Sequence, residues 1–350
     1  MRSIKLPVLL AGLMLPAAAL AQAAPAEDLR FVLPKTVSPQ AAAVLKPGLA
    51  AQKAMRPQRM AMALDFAALR AMAEKDVDTK VAATAAAYKV TYAPDTVGGV
   101  PVLRVTPQNA ATDGRVLVYI HGGGWIGGSP KSAFRLAAIY ASATGLPVVS
   151  VDYGLAPEHD FRDITGQAVA VYKALIAQGH KPGQIGLYGD SAGGNIILGS
   201  TLRMRDEGLP LPAALVALSP AVDLGNDGDT RTTLAYVDPV LDNQAWLDAV
   251  MKAYAGADVG AGMKNPWASP VLGDYSRPFP ATLIQGGTRE YLMSDFIREY
   301  QAIRMGGGEA VLDLYEGMPH VFMGFLSDTP EGKQAIGTAR DFLLKRLAKQ

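Results

Sequence analysis

The sequence predicts an α/β fold built on an eight-stranded, mostly parallel sheet with helices on both faces. Three observations lead there. Strand-like apolar runs occur at 88–93, 100–106, 115–120, 147–153, 184–188, 214–218, 281–286 and 310–315. From the third run onward they alternate mostly with helical segments, as expected of a parallel sheet covered on both sides. Hydrophobic residues make up 49% of the 350 positions, enough to bury such a sheet and to fill one large core instead of two independent domains.

The chain opens with Arg2 and Lys5, then an apolar stretch from Leu6 to Leu20 broken by Pro7, Gly12 and Pro16. This reads as a bacterial-type secretory signal over residues 1–21, ending at Ala19-Leu20-Ala21 or, one step on, at Ala21-Gln22-Ala23. The run is short for a membrane span, so the expected location is periplasmic or secreted, with no stable membrane association. Residues 22–59 are rich in Ala, Pro and Gln and carry little pattern. From Met60 to Ala73, Leu64, Ala68 and Met72 fall at helical spacing.

Two strand runs follow, and then the third, Arg115 to Ile120, leads at once into His121-Gly122-Gly123-Gly124-Trp125. Glycines in a row let a loop aim backbone N–H groups inward with no Cβ in the way, which is how an oxyanion is held. Gly122, Gly124 and Gly127 also satisfy the spacing of a dinucleotide-binding loop. However, the run continues through Gly128-Ser129-Pro130 before a helix can start, and no acidic residue ends a second strand about twenty positions on.

The fifth strand, Gln184 to Tyr188, runs into Gly189-Asp190-Ser191-Ala192-Gly193-Gly194 and then a helix from Asn195 to Glu207. So sharp a turn lifts the central side chain above the sheet in a strained conformation and leaves room only for small neighbours. Ser191 is the expected nucleophile. The N–H groups of Gly122, Gly123 and Ala192 are the expected oxyanion donors, aided by the helix start.

After the sixth strand, residues 223–280 are too long for a bare loop; Asn243 to Ala255 reads as a helix with Trp246, Leu247 and Val250 on one side. The seventh strand ends at Gly286-Gly287 and is followed by Glu290 and Asp295; the eighth is followed by His320. In enzymes built on such an elbow the chain order is serine, acid, histidine. His121, His159 and His180 precede Ser191, so His320 is the expected base. Glu290 sits where the orienting acid belongs. Asp295, which suits a helix start, and Asp223, which suits a turn, are the alternatives. Trp125, Asp190, Trp267 and Met263 are candidates to line a substrate pocket.

His121-Gly-Gly-Gly-Trp125, Val151-Asp152-Tyr153-Gly154-Leu155-Ala156-Pro157-Glu158-His159 and Gly189-Asp-Ser-Ala-Gly-Gly194 together resemble the hormone-sensitive-lipase-like family of α/β-hydrolase carboxylesterases. The resemblance runs from about Tyr88 to the C-terminus. It implies the α/β-hydrolase fold over residues 88–350, hydrolysis of short- to medium-chain carboxylic esters, and no cofactor. It also implies a helical cap drawn from residues 22–87 and 223–280. The sequence departs from the family where Gly154 stands for a usual Arg, Asp160-Phe161-Arg162 for a proline-rich continuation, and Glu290 for a usual Asp; either carboxylate can orient an imidazole. The same machinery on lactones or sugar acetates, or a catalytically silent binder on this fold, are the competing readings; retention of serine, histidine and glycine run argues against the last.

Composition bounds the rest. Thirty-three Lys and Arg against 32 Asp and Glu leave no basic footprint for nucleic acid. No cysteine is present, so there is no disulfide and no thiolate metal site, and no metal-ligand spacing is visible elsewhere. The expected partner is a small-molecule ester; oligomeric state is not legible.

Overall fold

The computed structural model describes residues 28–61, 64–225 and 227–348; the expected signal segment lies outside them. Among the described residues, three α-helices precede the sheet: α1 (Pro39–Ala61), α2 (Phe66–Ala73) and α3 (Val77–Tyr88). The first was not legible, because Pro47 and Pro57 fall inside it and both normally break helices. The single helix expected over 60–73 is divided instead: α1 ends at Ala61, and Asp65 starts α2 by accepting a hydrogen bond from the Ala68 N–H. Tyr88 belongs to α3 and Lys89 takes a left-handed conformation, so the first strand starts two residues later than its apolar run.

The core then alternates β1 (Val90–Val97), β2 (Val100–Pro107), β3 (Val116–Ile120), α4 (Phe134–Thr144), β4 (Val148–Val151), α5 (Phe161–Ala177), β5 (Ile185–Asp190), α6 (Ala192–Asp206) and β6 (Ala214–Leu218). The 223–280 excursion holds α7 (Thr230–Thr233), α8 (Gln244–Ala255) and α9 (Val259–Met263). The chain closes with β7 (Ala281–Gly287), α10 (Met293–Met305), β8 (Ala310–Tyr315), α11 (Phe322–Phe325) and α12 (Pro330–Arg346). The strands form one sheet in the order β1-β2-β4-β3-β5-β6-β7-β8. The β1–β2 and β2–β4 pairs are antiparallel, and all later neighbours are parallel.

Every side chain of β3, β4, β5 and β6 is buried. One apolar cluster packs α5, α6 and α8 against one face of the sheet; a second packs α4 and α12 against the other. Burial on both faces explains why these strands read as continuous apolar runs without alternation. It also sets the place of chemistry: in parallel α/β sheets ligands gather beyond the carboxyl ends of the strands, where β3, β5, β6, β7 and β8 deliver Gly122–Gly124, Ser191, Ser219, Glu290 and His320.

Candidate active site

Ser191 is held at φ 52°, ψ −119°, between β5 and α6. Two contacts show why only glycine fits beside it. A Cβ on Gly193 would strike the Ile120 carbonyl oxygen, and one on Gly189 would strike the Gly193 carbonyl group. The Ser191 N–H is tied to the Leu218 carbonyl at 2.8 Å. The strained residue is therefore fixed from both neighbouring strands, with its hydroxyl at the N-terminus of a 15-residue helix.

Ser191, Glu290 and His320, distant in sequence, are brought together. The Ser191 hydroxyl lies 2.9 Å from His320 Nε2, and His320 Nδ1 lies 2.7 Å from Glu290 Oε2. Glu290 is fully buried; its Oε1 accepts from the Gly287 N–H (2.6 Å) and the Ser219 hydroxyl (2.8 Å). Burial of the His320 ring opposes a positive charge there. The hydrogen-bonded Glu290 carboxylate, with Asp238 and Asp190 nearby, outweighs it and holds the pKa above the ordinary histidine value.

The alternative acids stand elsewhere. Asp295 lies buried against Arg231 at 2.8 Å and accepts the N–H groups of Val222 (2.8 Å) and Asp223 (3.1 Å). It thereby anchors the chain leaving β6. Asp223 accepts from Gly225 and Asp227 within its own turn and pairs with Arg298. Neither makes a hydrogen bond or ion pair with His320 among the described contacts.

One oxyanion expectation needs correction. The Gly122 N–H does not face the serine. It donates to Asp190 Oδ1 at 3.0 Å, and the Tyr119 hydroxyl donates to the same oxygen at 2.6 Å. Asp190, expected in the pocket, borders the cavity described below but has this oxygen committed to holding the glycine loop. Among the described residues, the N–H groups of Gly123, Gly124 and Ala192 make no hydrogen bond to protein. Gly123 and Gly124 have φ of 121° and 62°, where a Cβ is strained; this turns the loop above Ser191. The glycine run alone could not show which of its N–H groups was free, because that depends on a carboxylate 68 residues away.

His121, just before the glycines, is fully buried, stacked on Tyr153 at 4.4 Å, and lowered by burial to a pKa of about 4. It is a neutral packing residue. The loop beyond is pinned from outside by Arg70 of α2: its guanidinium donates to the carbonyls of Ile126 (2.6 Å) and Ala156 (2.7 Å) and pairs with Glu158 at 2.8 Å.

A cavity of about 400 Å³ opens over Ser191 and His320. Its floor is the Gly123–Gly128 loop; Met60, Leu69 and Met72 from α1 and α2 face Val240, Leu241 and Trp246 across it. Trp125 is outside this lining: it is buried and stacked on Tyr254 at 4.7 Å. Trp267 donates to Asp206 and lies under Arg203, and Met263 packs against the core, so neither lines it. The sequence reading missed Ser219, Gly124, Arg70 and Asp238. Asp238 is buried and accepts the N–H groups of Val240, Leu241 and Tyr291, joining the cavity wall to the residue after Glu290. A polar Ser219 directly after an all-apolar strand was the one available signal. Among the described residues no group of three or more His, Asp or Glu side chains could hold a metal ion, and no helix is long and apolar enough to cross a membrane.

Comparison with known proteins agrees with this fold. Residues 117–324 match the family model described as the α/β hydrolase fold. An acetyl-hydrolase of Streptomyces hygroscopicus is 36% identical over 234 residues, 67% of this chain and 77% of that protein. An esterase of Acinetobacter venetianus is 33% identical over 249 residues, 71% and 80% of the two chains. The crystal structure of an esterase from the bacterial hormone-sensitive lipase family superimposes with a TM-score of 0.70 at 35% identity, covering 74% of this chain and 86% of that one. Shared sheet and shared sequence over two thirds of the chain lead to one conclusion: this protein belongs to the α/β-hydrolase family, among the esterases of the hormone-sensitive-lipase-like group.

Proposed function

We propose that the protein is a serine carboxylesterase that cleaves short- to medium-chain esters through an acyl-enzyme. One observation carries the reading: the unbroken hydrogen-bonded line from Glu290 through His320 to Ser191, ending in an apolar cavity beside uncommitted N–H groups. Ser191 Oγ attacks the ester carbonyl while His320 Nε2 takes its proton. The oxyanion is held by Gly123, Gly124 and Ala192. His320, its charge favoured by Glu290, returns the proton to the leaving alkoxy oxygen as the bond between that oxygen and the acyl carbon breaks. Water then repeats the sequence on the acyl-serine and releases the acid. The largely apolar lining supports an apolar ester over a sugar acetate.

The experiment is covalent labelling with a fluorophosphonate, read by peptide mass, together with turnover of nitrophenyl esters from acetate upward. The expected result is one adduct, on the peptide bearing Ser191, and loss of ester turnover in step with labelling. Labelling at another serine, with turnover retained in Ser191→Ala, would overturn the assignment.

A further inference from the structure

Two cavities meet at Ser191, and they differ greatly in size. Beside the 400 Å³ space lies a second of about 20 Å³, bordered by Trp125, Ala192, Leu247, Val250, Met251 and Leu292. Gly124, Ser191, Leu241 and Trp246 border both. His320 and Val321 border only the large one. Trp246 forms the partition: its ring lies over the oxyanion loop so closely that a Cβ on Gly124 would come within 2.9 Å of it.

Chemistry assigns a substituent to each side. Resting on the serine-esterase reading above, we infer that the acyl group enters the small cavity and the alcohol occupies the large one, which makes the protein an esterase for acetyl and propionyl esters of bulky apolar alcohols. The carbonyl oxygen must lie toward the N–H groups of Gly123, Gly124 and Ala192. The leaving oxygen must lie within reach of His320 Nε2, because that nitrogen protonates it. The alcohol therefore extends on the His320 side, into the large cavity. The acyl chain takes the remaining direction, past Ala192 and Trp246. A volume of roughly 10–15 Å³ holds a single water, so the 20 Å³ space favours a short acyl chain of about one or two carbons beyond the carbonyl. The large space, at 400 Å³, is of a size that encloses a whole ligand of roughly ten or more heavy atoms. Its walls of Met60, Leu69, Met72 and Ile126 select an apolar one.

The test varies each half of the ester separately. With one alcohol held constant, the acyl chain is lengthened from acetyl to hexanoyl. With acetyl held constant, the alcohol is enlarged from ethanol through hexanol to cyclohexylmethanol, whose similar acidities keep the leaving group comparable. Rates are normalised to fluorophosphonate-reactive sites. The expected result is that kcat/KM falls about tenfold or more from acetyl to hexanoyl, in the range set by misfit methylenes in a closed pocket, and rises with alcohol size. Trp246→Ala and Leu247→Ala, each checked for folding by circular dichroism, should raise the hexanoyl-to-acetyl ratio about tenfold by opening the small cavity; Leu247→Ala serves if the tryptophan variant does not fold. A hexanoyl ester hydrolysed as well as the acetyl ester by the wild-type protein, or an unchanged ratio in the folded variants, overturns this assignment while leaving the nucleophile intact. Absence of labelling and of turnover on every ester would instead overturn the underlying reading.

Discussion

The floor of the site and its roof are built by different physics. The floor is the carboxyl edge of β3, β5, β6 and β7, where all side chains but that of Ala281 are buried. Each reacting group there is over-determined: Ser191 by two glycines and a strand carbonyl, the glycine loop by Asp190 and Tyr119, Glu290 by Gly287 and Ser219. The roof is α1, α2 and the start of α8. No residue of α2 is buried, and Arg70–Glu158 and Arg56–Asp242 (2.7 Å) are the ion pairs that fasten α1 and α2 to facing loops among the described residues. A group fixed by packing and backbone strain cannot shift without loss, so damage to the floor should appear in kcat. A surface fixed by shape and a few polar ties can give way, so damage to the roof should appear in KM and in substrate choice.

The largest effect should follow removal of the nucleophile. Ser191→Ala is expected to lower kcat by about 10⁴–10⁶ with an unchanged melting temperature, as triad knockouts do. Steady-state turnover and calorimetry of the same sample check it. Next comes the acid, where two buried carboxylates separate cleanly. Glu290→Gln should cost about 10⁴ in kcat, since the imidazole loses the partner that sets its tautomer. Asp295→Asn should act on stability, because it removes the carboxylate charge paired with the buried Arg231 guanidinium, at a cost of about 3–5 kcal/mol. A crippled Asp295→Asn with normal melting, beside a nearly silent Glu290→Gln, would reverse the two roles. The pH profile adds a sign. His320 acts as base only when neutral, and its pKa is raised, so kcat/KM should climb as pH rises through that value. Glu290→Gln removes a carboxylate that raises it, and the residual acid limb should move to lower pH.

Much of the floor was legible and the roof only in part: α8 and the second half of the 60–73 run read as helices, whereas α1 did not. A strained elbow demands small residues at given spacings, and a fully buried strand demands an apolar run, so both leave marks in one dimension. Ser191 and His320 could be singled out, and Glu290 placed after the seventh strand, from order alone. Which glycine N–H was free could not be read, because the answer lies in Asp190 reaching back to Gly122. Nor could α1, whose two prolines sit where helix rules exclude them. Trp125 and Trp246 show the limit well: the first stands beside the glycine run in sequence yet stacks on Tyr254 and borders only the small cavity, while the second, over a hundred residues off, lies over Gly124 and borders both.

Gly124→Ala probes the seam between the two regions. The added methyl group meets the Trp246 ring and sits on a residue with φ of 62°, so the loop must turn its N–H away from the oxyanion. The expected loss is about 10²–10³ in kcat, the range for losing one such donor, against little change in KM. Ser219→Ala should be milder. It removes the hydroxyl that donates to Glu290 Oε1 and accepts the Val321 N–H at 3.1 Å, so it loosens both the acid and the loop of the base. Gly287 still holds the same carboxylate oxygen. A fall of about tenfold in kcat fits the loss of a hydrogen bond to a charged group, about 1.5–3 kcal/mol, partly compensated by that remaining donor. Recovery in Ser219→Thr would tie the effect to the hydroxyl.

Arg70→Met should have the smallest effect, and it tests the roof alone. The guanidinium is partly exposed, and a solvent-facing ion pair such as Arg70–Glu158 is worth little, about 0–1 kcal/mol. Its two backbone contacts matter more, since Ile126 and Ala156 flank the oxyanion loop and hold α2 down upon it. Methionine keeps the stem that packs near Gly127 but donates nothing. With α2 loosened, Leu69 and Met72 no longer hold the alcohol side of the substrate firmly. KM for esters of large alcohols should therefore rise several-fold, with kcat within about twofold, because Asp190 and Tyr119 still hold the glycine loop from below. Esters of ethanol, too small to reach α2, should be hydrolysed as before. If Arg70→Met instead lowered kcat by two decades on every ester, the loop would depend on its outer clamp as much as on its inner one. The division between a rigid floor and a yielding roof would then fail.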